Sequence, residues 1–161
     1  MTEPLRISQI TKPTSPATIT EAPYYSSTPE DMQRWFDTTV EYLQTQRGRS
    51  MTIDARTCLY KAPDGNRCAV GFHIPADYID QLNNGNGNDN GLSARTLVKR
   101  HPKLRGIAFP EGQEDFAGEI QAVHDRSIHR DDRTNRLNAE GREALRRIAK
   151  KYNLSDERIG F

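Results

Sequence analysis

The chain has 161 residues, 23 basic against 22 acidic, with 34% hydrophobic and 28% charged side chains. That length suits one domain with a single modest core, and the charge balance excludes a whole-molecule field that would steer the protein onto nucleic acid or an anionic membrane. No apolar run approaches the ~20 residues of a bilayer-spanning helix and the N-terminus lacks a secretion signal, so the reading is a cytoplasmic protein whose two cysteines are thiols.

Residues 1–27, "MTEPLRISQITKPTSPATITEAPYYSS", contain four prolines, many hydroxyl side chains and no sustained period. Such a segment cannot offset its ordering entropy alone, and it reads as an extended or disordered arm. Tyr24 and Tyr25 at its end are candidate docking residues, on the domain or on a partner. A single domain is expected over residues 28–161.

The first helix is expected in "TPEDMQRWFDTTVEYLQTQRG". Thr28 supplies a cap, Pro29 suits the first turn and Asp31 has capping-box spacing, while Met32, Trp35, Phe36, Val40 and Leu43 recur at helical intervals. Gly48 provides a stop.

Next comes "CLYKAPDGNRCAVGFHIP", residues 58–75, which reads as a β-hairpin. "TCLYK" and "RCAVGFHI" are strand-like, and "PDGN" is a turn signature with Gly65 at positive φ. Pairing about Asp64-Gly65 sets Cys68 opposite Lys61 and Cys58 opposite Gly71, with Cys68, Val70 and Phe72 on one face. A short helix carrying Tyr78, Ile79 and Leu82 follows, then a mobile Asn/Gly loop over residues 83–91. Ser93 caps a short helix with Leu97 and Val98 that ends before Pro102. A further helix is expected in "EDFAGEIQAVHDR", with Phe116, Ile120 and Val123 inward, and Asn138 caps the last, with Leu145, Ile148, Ala149 and Tyr152 inward. The predicted class is α+β: a small β-hairpin or sheet against two to three longer helices.

Three kinds of chemistry can be read from these residues. Cys58, Cys68, His73 and His124 are ligand types for zinc, but nine residues and a hairpin separate the cysteines where a zinc knuckle uses a tight turn, so no metal or other cofactor is expected. Cys68 (or Cys58), His124 and Asp125 are the residue types of a cysteine-dependent enzyme. Adjacent helical residues point about 100° apart, so Asp125 can orient His124 only from the helix end, and Cys68 has no helix N-terminus to lower its pKa. The run "HDRSIHRDDRTNR" reads as a solvated connector of mixed charge. Arg142, Arg146 and Lys150 form a basic row on the last helix that suits weak phosphate contacts, without interleaved aromatics.

Three stretches, "FDTTVEYLQTQRGRS", "CLYKAPDGNRCAVGFHIPADY" and "IQAVHD", together resemble a family of small proteins of bacteriophages, prophages and bacteria. The family pattern is a helix, then C-x-Y…DG…CA-x-G-x-x-IP…Y, then LQ…HD. The matching residues are Gln46, Ser50, Cys58, Tyr60, Gly65, Cys68, Ala69, Gly71, Ile74, Pro75, Tyr78, Gln121, His124 and Asp125. The chain departs from the pattern in its proline-containing arm, in its Asn/Gly loop and in lacking a tryptophan after "HD". The resemblance implies a phage-related soluble protein acting inside a bacterium and assigns no activity. The favoured expectation is an accessory protein that binds another macromolecule, most readily a protein such as a host or defence factor. The cysteine enzyme and the weak nucleic-acid binder are the alternatives.

Overall fold

The computed structural model describes residues 14–46, 48–50, 59–83, 89–126, 129–131 and 133–160. Cys58 and the centre of the Asn/Gly loop lie outside the described residues. Helix α1 (Pro29–Thr45) starts where Thr28 Oγ1 accepts from the Asp31 amide at 3.3 Å. Asp31 in turn accepts from the Ser26 amide at 2.8 Å and the Ser26 hydroxyl at 2.7 Å, tying the entry chain to the first turn. Its stripe of Met32, Trp35, Phe36, Thr39, Val40 and Leu43 is buried, and each large apolar side chain removed from water contributes ~1.5–3 kcal/mol. Beyond Gln46, Gly48 has φ +123°, a conformation that glycine adopts without strain.

Four more α-helices follow among the described residues: α2 (Ala76–Ile79), α3 (Ala94–Arg100), α4 (Glu114–Asp125) and α5 (Ala139–Lys151). Ser93 caps α3 and Asn138 caps α5, each by accepting an amide from the first turn. α4 packs on α3 and α5. Its Phe116 lies against Trp35 and Phe36 on one side and Tyr152 on the other, joining α1, α4 and α5 in one core. No helix among the described residues is long and apolar enough to cross a membrane.

Among the described residues the expected β-hairpin is absent, and the α+β class is corrected to a mainly helical fold. Among the described residues Lys61 and Arg67 form an isolated antiparallel bridge, one residue off the expected register, around a turn in which Gly65 has φ +90°. The second segment then coils: Phe72 N donates to Cys68 O at 2.9 Å, His73 N to Val70 O at 3.0 Å and Ile74 N to Gly71 O at 3.1 Å. The physical reason is burial on every side. All eight residues from Cys68 to Pro75 are buried, whereas a hairpin strand at a surface hides alternate residues. A Cβ at Gly71 would overlap the Tyr60 carbonyl, so glycine permits this coil to approach. The bridge keeps two backbone bonds, Ala62 N to Asn66 O at 2.8 Å and Cys68 N to Tyr60 O at 3.3 Å, while Tyr60 and Lys61 also bond Asn90, within the Asp89–Gly91 turn. Tyr60 N donates to Asn90 O at 2.8 Å, Lys61 N to Asn90 Oδ1 at 3.0 Å, and Asn90 Nδ2 to Lys61 O at 2.8 Å.

Residues 14–27, assigned to the arm from sequence, lie against the domain. Ala76 N and Asp77 N donate to Pro16 O and Ala17 O, and Ile19 N donates to the Asp77 carboxylate. Tyr25 is 3% exposed, edge-on to His73, with its backbone bonded to Gly106 and Glu111. Burying Tyr25 supplies what composition alone does not show, apolar area that offsets the ordering of this stretch. Tyr24 is half exposed, and its hydroxyl meets Glu111.

Candidate functional site

The inward stripe of α4 carries His124 into the core, where it is fully buried. Asp125 is the last residue of α4, and from that position its Oδ1 reaches His124 Nδ1 at 3.1 Å. The helix end provides the freedom that two adjacent mid-helix residues lack. On the far side of the ring, His124 Nε2 lies 2.7 Å from Gln46 Oε1. Gln46 is held in that orientation because its amide nitrogen donates to Arg67 O at 2.5 Å.

Gln121 completes the chain of contacts. Its Oε1 accepts from Val70 N at 3.0 Å and its nitrogen donates to both Asp125 oxygens at 3.1 and 3.3 Å. With its nitrogen engaged by Arg67 O, Gln46 presents an oxygen to the ring, so His124 Nε2–H donates to Gln46 Oε1. Burial pushes the His124 imidazole below its ordinary pKa, and the Asp125 contact opposes that shift. The relay from Val70 to Arg67 is thus a rigid polar spine through the core.

Two arginines close the C-terminal end of α4. Arg130 Nη2 donates to His124 O at 3.1 Å and Arg49 Nη1 to Asp125 O at 3.2 Å, placing cations at the negative end of the helix. Arg130 is 5% exposed, with its Nε and Nη1 unpartnered among the described residues, and burial lowers its pKa to about 10, so it remains a cation at neutral pH. His129 is also buried, its Nδ1 3.0 Å from Val123 O. The mixed-charge run, read as a solvated connector, therefore turns inward at these two residues, because the end of α4 offers carbonyls for their hydrogens.

In front of the relay lies a cleft of about 410 Å³. Leu59, Val70, Leu92 and Ala94 supply apolar wall, and Asp125 is the charged side chain among its described lining residues, beside Gln121. Cys68 also lines it but is 1% exposed, and its sulfur accepts from Gly71 N at 3.2 Å. Burial, reinforced by the Asp125 charge, pushes the thiol up to about 12. At neutral pH it is a packed thiol and no nucleophile. Tyr60, whose hydroxyl bonds Leu92 O, is also held protonated by burial. The arrangement can accept hydrogen bonds from a donor-bearing ligand at Asp125, against apolar walls.

The remaining sequence candidates have other surroundings. His73 stacks on Trp35 with centroids 4.9 Å apart, and its Nε2 is 2.7 Å from Thr39 Oγ1. Thr39 already donates to Trp35 O, so the ring is the donor, and burial lowers its pKa to about 3. Among the described residues no group of three or more His, Cys, Asp or Glu side chains gathers as a metal site would require. In the basic row, Arg142 donates to Leu137 O and Arg146 to Gly160 O, while Lys150 is exposed. Reasoning from residue types missed Gln46, Gln121, Arg49 and Arg130. The spacing of Gln121 four residues before Asp125 is the one local signal for the pair.

The three segments carrying the phage-family resemblance meet here: Gln46 and Ser50 from the first, Tyr60, Cys68 and Gly71 from the second, Gln121, His124 and Asp125 from the third. Ser50 takes its place by donating to Asn66 O at 2.8 Å. Compared with known proteins, the chain matches no family model, no curated protein and no solved structure.

Proposed function

We propose that this chain is a phage- or prophage-type accessory protein that works in the bacterial cytoplasm as a macromolecular interaction module. Its proposed partner is a protein, a host or defence factor being the first class to test. One observation carries this reading: the charged group lining the cleft, Asp125, is held by Gln121 and by His124, while the thiol beside it is buried and kept protonated. A preorganised carboxylate in an apolar cleft suits capture of a cationic or amide-bearing side chain. The cysteine-enzyme alternative has no reactive thiolate at Cys68 to support it. The nucleic-acid alternative is weakened because Arg142 and Arg146 are occupied by backbone carbonyls.

The test is affinity purification of the tagged chain and of Asp125→Asn from the bacterial host, with mass spectrometry and nucleic-acid detection on the eluates. A protein retained by the parent and depleted ~10-fold with Asp125→Asn is the expected result. Equal recovery with both, or nucleic acid alone, overturns the reading. In parallel, Cys68 is expected to resist iodoacetamide until the chain is unfolded. Rapid alkylation of the folded protein below the ordinary thiol pKa of about 8.5 would restore the enzyme alternative.

A further inference from the structure

α4 and α5 lie side by side, and their outer faces enclose a second depression, a groove of about 370 Å³. Its floor is apolar, formed by Ala122, Val123, Ala144 and Ile148. Its rim carries Arg126, Arg147 and Lys151. Lys151 is already paired with Glu119 at 2.6 Å, and the Tyr152 hydroxyl bonds the other oxygen of that carboxylate. Arg126 and Arg147 are exposed and have no ion pair or side-chain hydrogen bond among the described residues. Two free guanidinium groups thus flank an apolar floor.

We propose that this groove docks an acidic peptide segment of a partner protein, with one apolar side chain on the Ala122–Ile148 floor and flanking carboxylates on Arg126 and Arg147. The planar forks of arginine match carboxylates two bonds at a time, which supplies charge complementarity with direction. A nucleic-acid strand fits less well: no Phe, Tyr or Trp side chain lines the groove among the described residues, the His129 ring there is buried, and the Glu119 carboxylate faces the same space. The inference stands apart from the Asp125 cleft. That cleft presents a negative charge and calls for a donor, whereas the groove calls for an acceptor.

The experiment starts from a random peptide library displayed on phage and selected on the intact chain. Selected peptides are then synthesised with a fluorophore and measured by anisotropy, and by amide chemical-shift mapping on the labelled protein. Peptides pairing an apolar residue with Asp or Glu neighbours, shifting Ala122, Ala144 and Ile148, are the expected result. Binding should fall ~10-fold or more in Arg126→Gln/Arg147→Gln and with added salt. Circular dichroism of the double variant should match the parent, since both side chains are exposed. The inference is overturned if no peptide is selected, if the selected peptides lack acidic residues, or if their shifts fall elsewhere. It is also overturned if the double variant binds as well as the parent, or if an oligothymidylate shifts the same amides at lower concentration.

Discussion

α1 and the Cys68–Pro75 coil are both central to the core, yet they obey different rules. α1 has a wet side and a dry side, so its 17 residues announce themselves by period, cap and first-turn charge. The coil has no wet side at all. Without a solvent face there is no alternation to read, and an apolar run of this kind is compatible with a strand or with a buried turn. Their tolerance of change should differ for the same reason, since α1 has solvent-facing positions such as Glu30 and the coil has none.

The strongest way to break the comparison is Gly71→Ala. A methyl group there overlaps the Tyr60 carbonyl, so the coil must shift as a unit; a loss of more than ~3 kcal/mol, read as a lowered Tm or failure to fold cooperatively, is expected. An unchanged Tm would mean that the coil is looser than its burial implies.

Acid comes next. His73 is neutral when folded, with its pKa lowered to about 3, but takes up a proton near 6.5 once unfolded. Its contribution is therefore fully present above about pH 6.5 and is lost as pH falls toward 3, at up to ~1.4 kcal/mol per pH unit. His124, shifted in the same direction, adds to the slope. Denaturant midpoints measured between pH 7 and 4 should fall steadily, and less steeply in His73→Phe. Equal slopes would place the acid sensitivity outside the coil.

Gln46 is where the two regions meet, following α1 and bonding both Arg67 O and His124. Gln46→Ala leaves a buried imidazole hydrogen without its acceptor, while Arg67 O keeps its bond from the Tyr42 hydroxyl, and the expected cost is ~2 kcal/mol in urea unfolding. The smallest effect belongs to α1 alone: Thr28→Ala removes one cap bond, costing ~1 kcal/mol by the same measurement. A reversed order of these two would place the weak point at the helix start rather than at the junction.

Much of the helical framework was legible because its causes are local. Thr28, Ser93 and Asn138 act within one turn, and Phe116, Ile120 and Val123 share a face by spacing alone. The hairpin was misread because Tyr60 N bonds Asn90 O, some thirty residues downstream, while Cys68 O is taken by Phe72 N as the second segment coils. The site was half legible. His124 and Asp125 stand out by type and order, but their anchors Gln46 and Gln121 are ordinary polar residues until the fold brings Arg67 O and Val70 N beside them. On α5 the basic row is visible as a row, while its use by Leu137 O and Gly160 O is not.

By itself the amino-acid sequence determined where the longer helices begin, which of their faces are apolar, and that no single-sign charge dominates the chain. Those properties arise from interactions between residues a few positions apart, which every chain with this order of side chains possesses. Tertiary structure alone decided that Cys68 is a packed thiol, that Asp125 lines a cleft, and that Arg126 and Arg147 have no side-chain partner among the described residues while their neighbours are engaged. Burial and distant hydrogen-bond partners set protonation and availability, and both depend on which remote segment arrives to exclude the water.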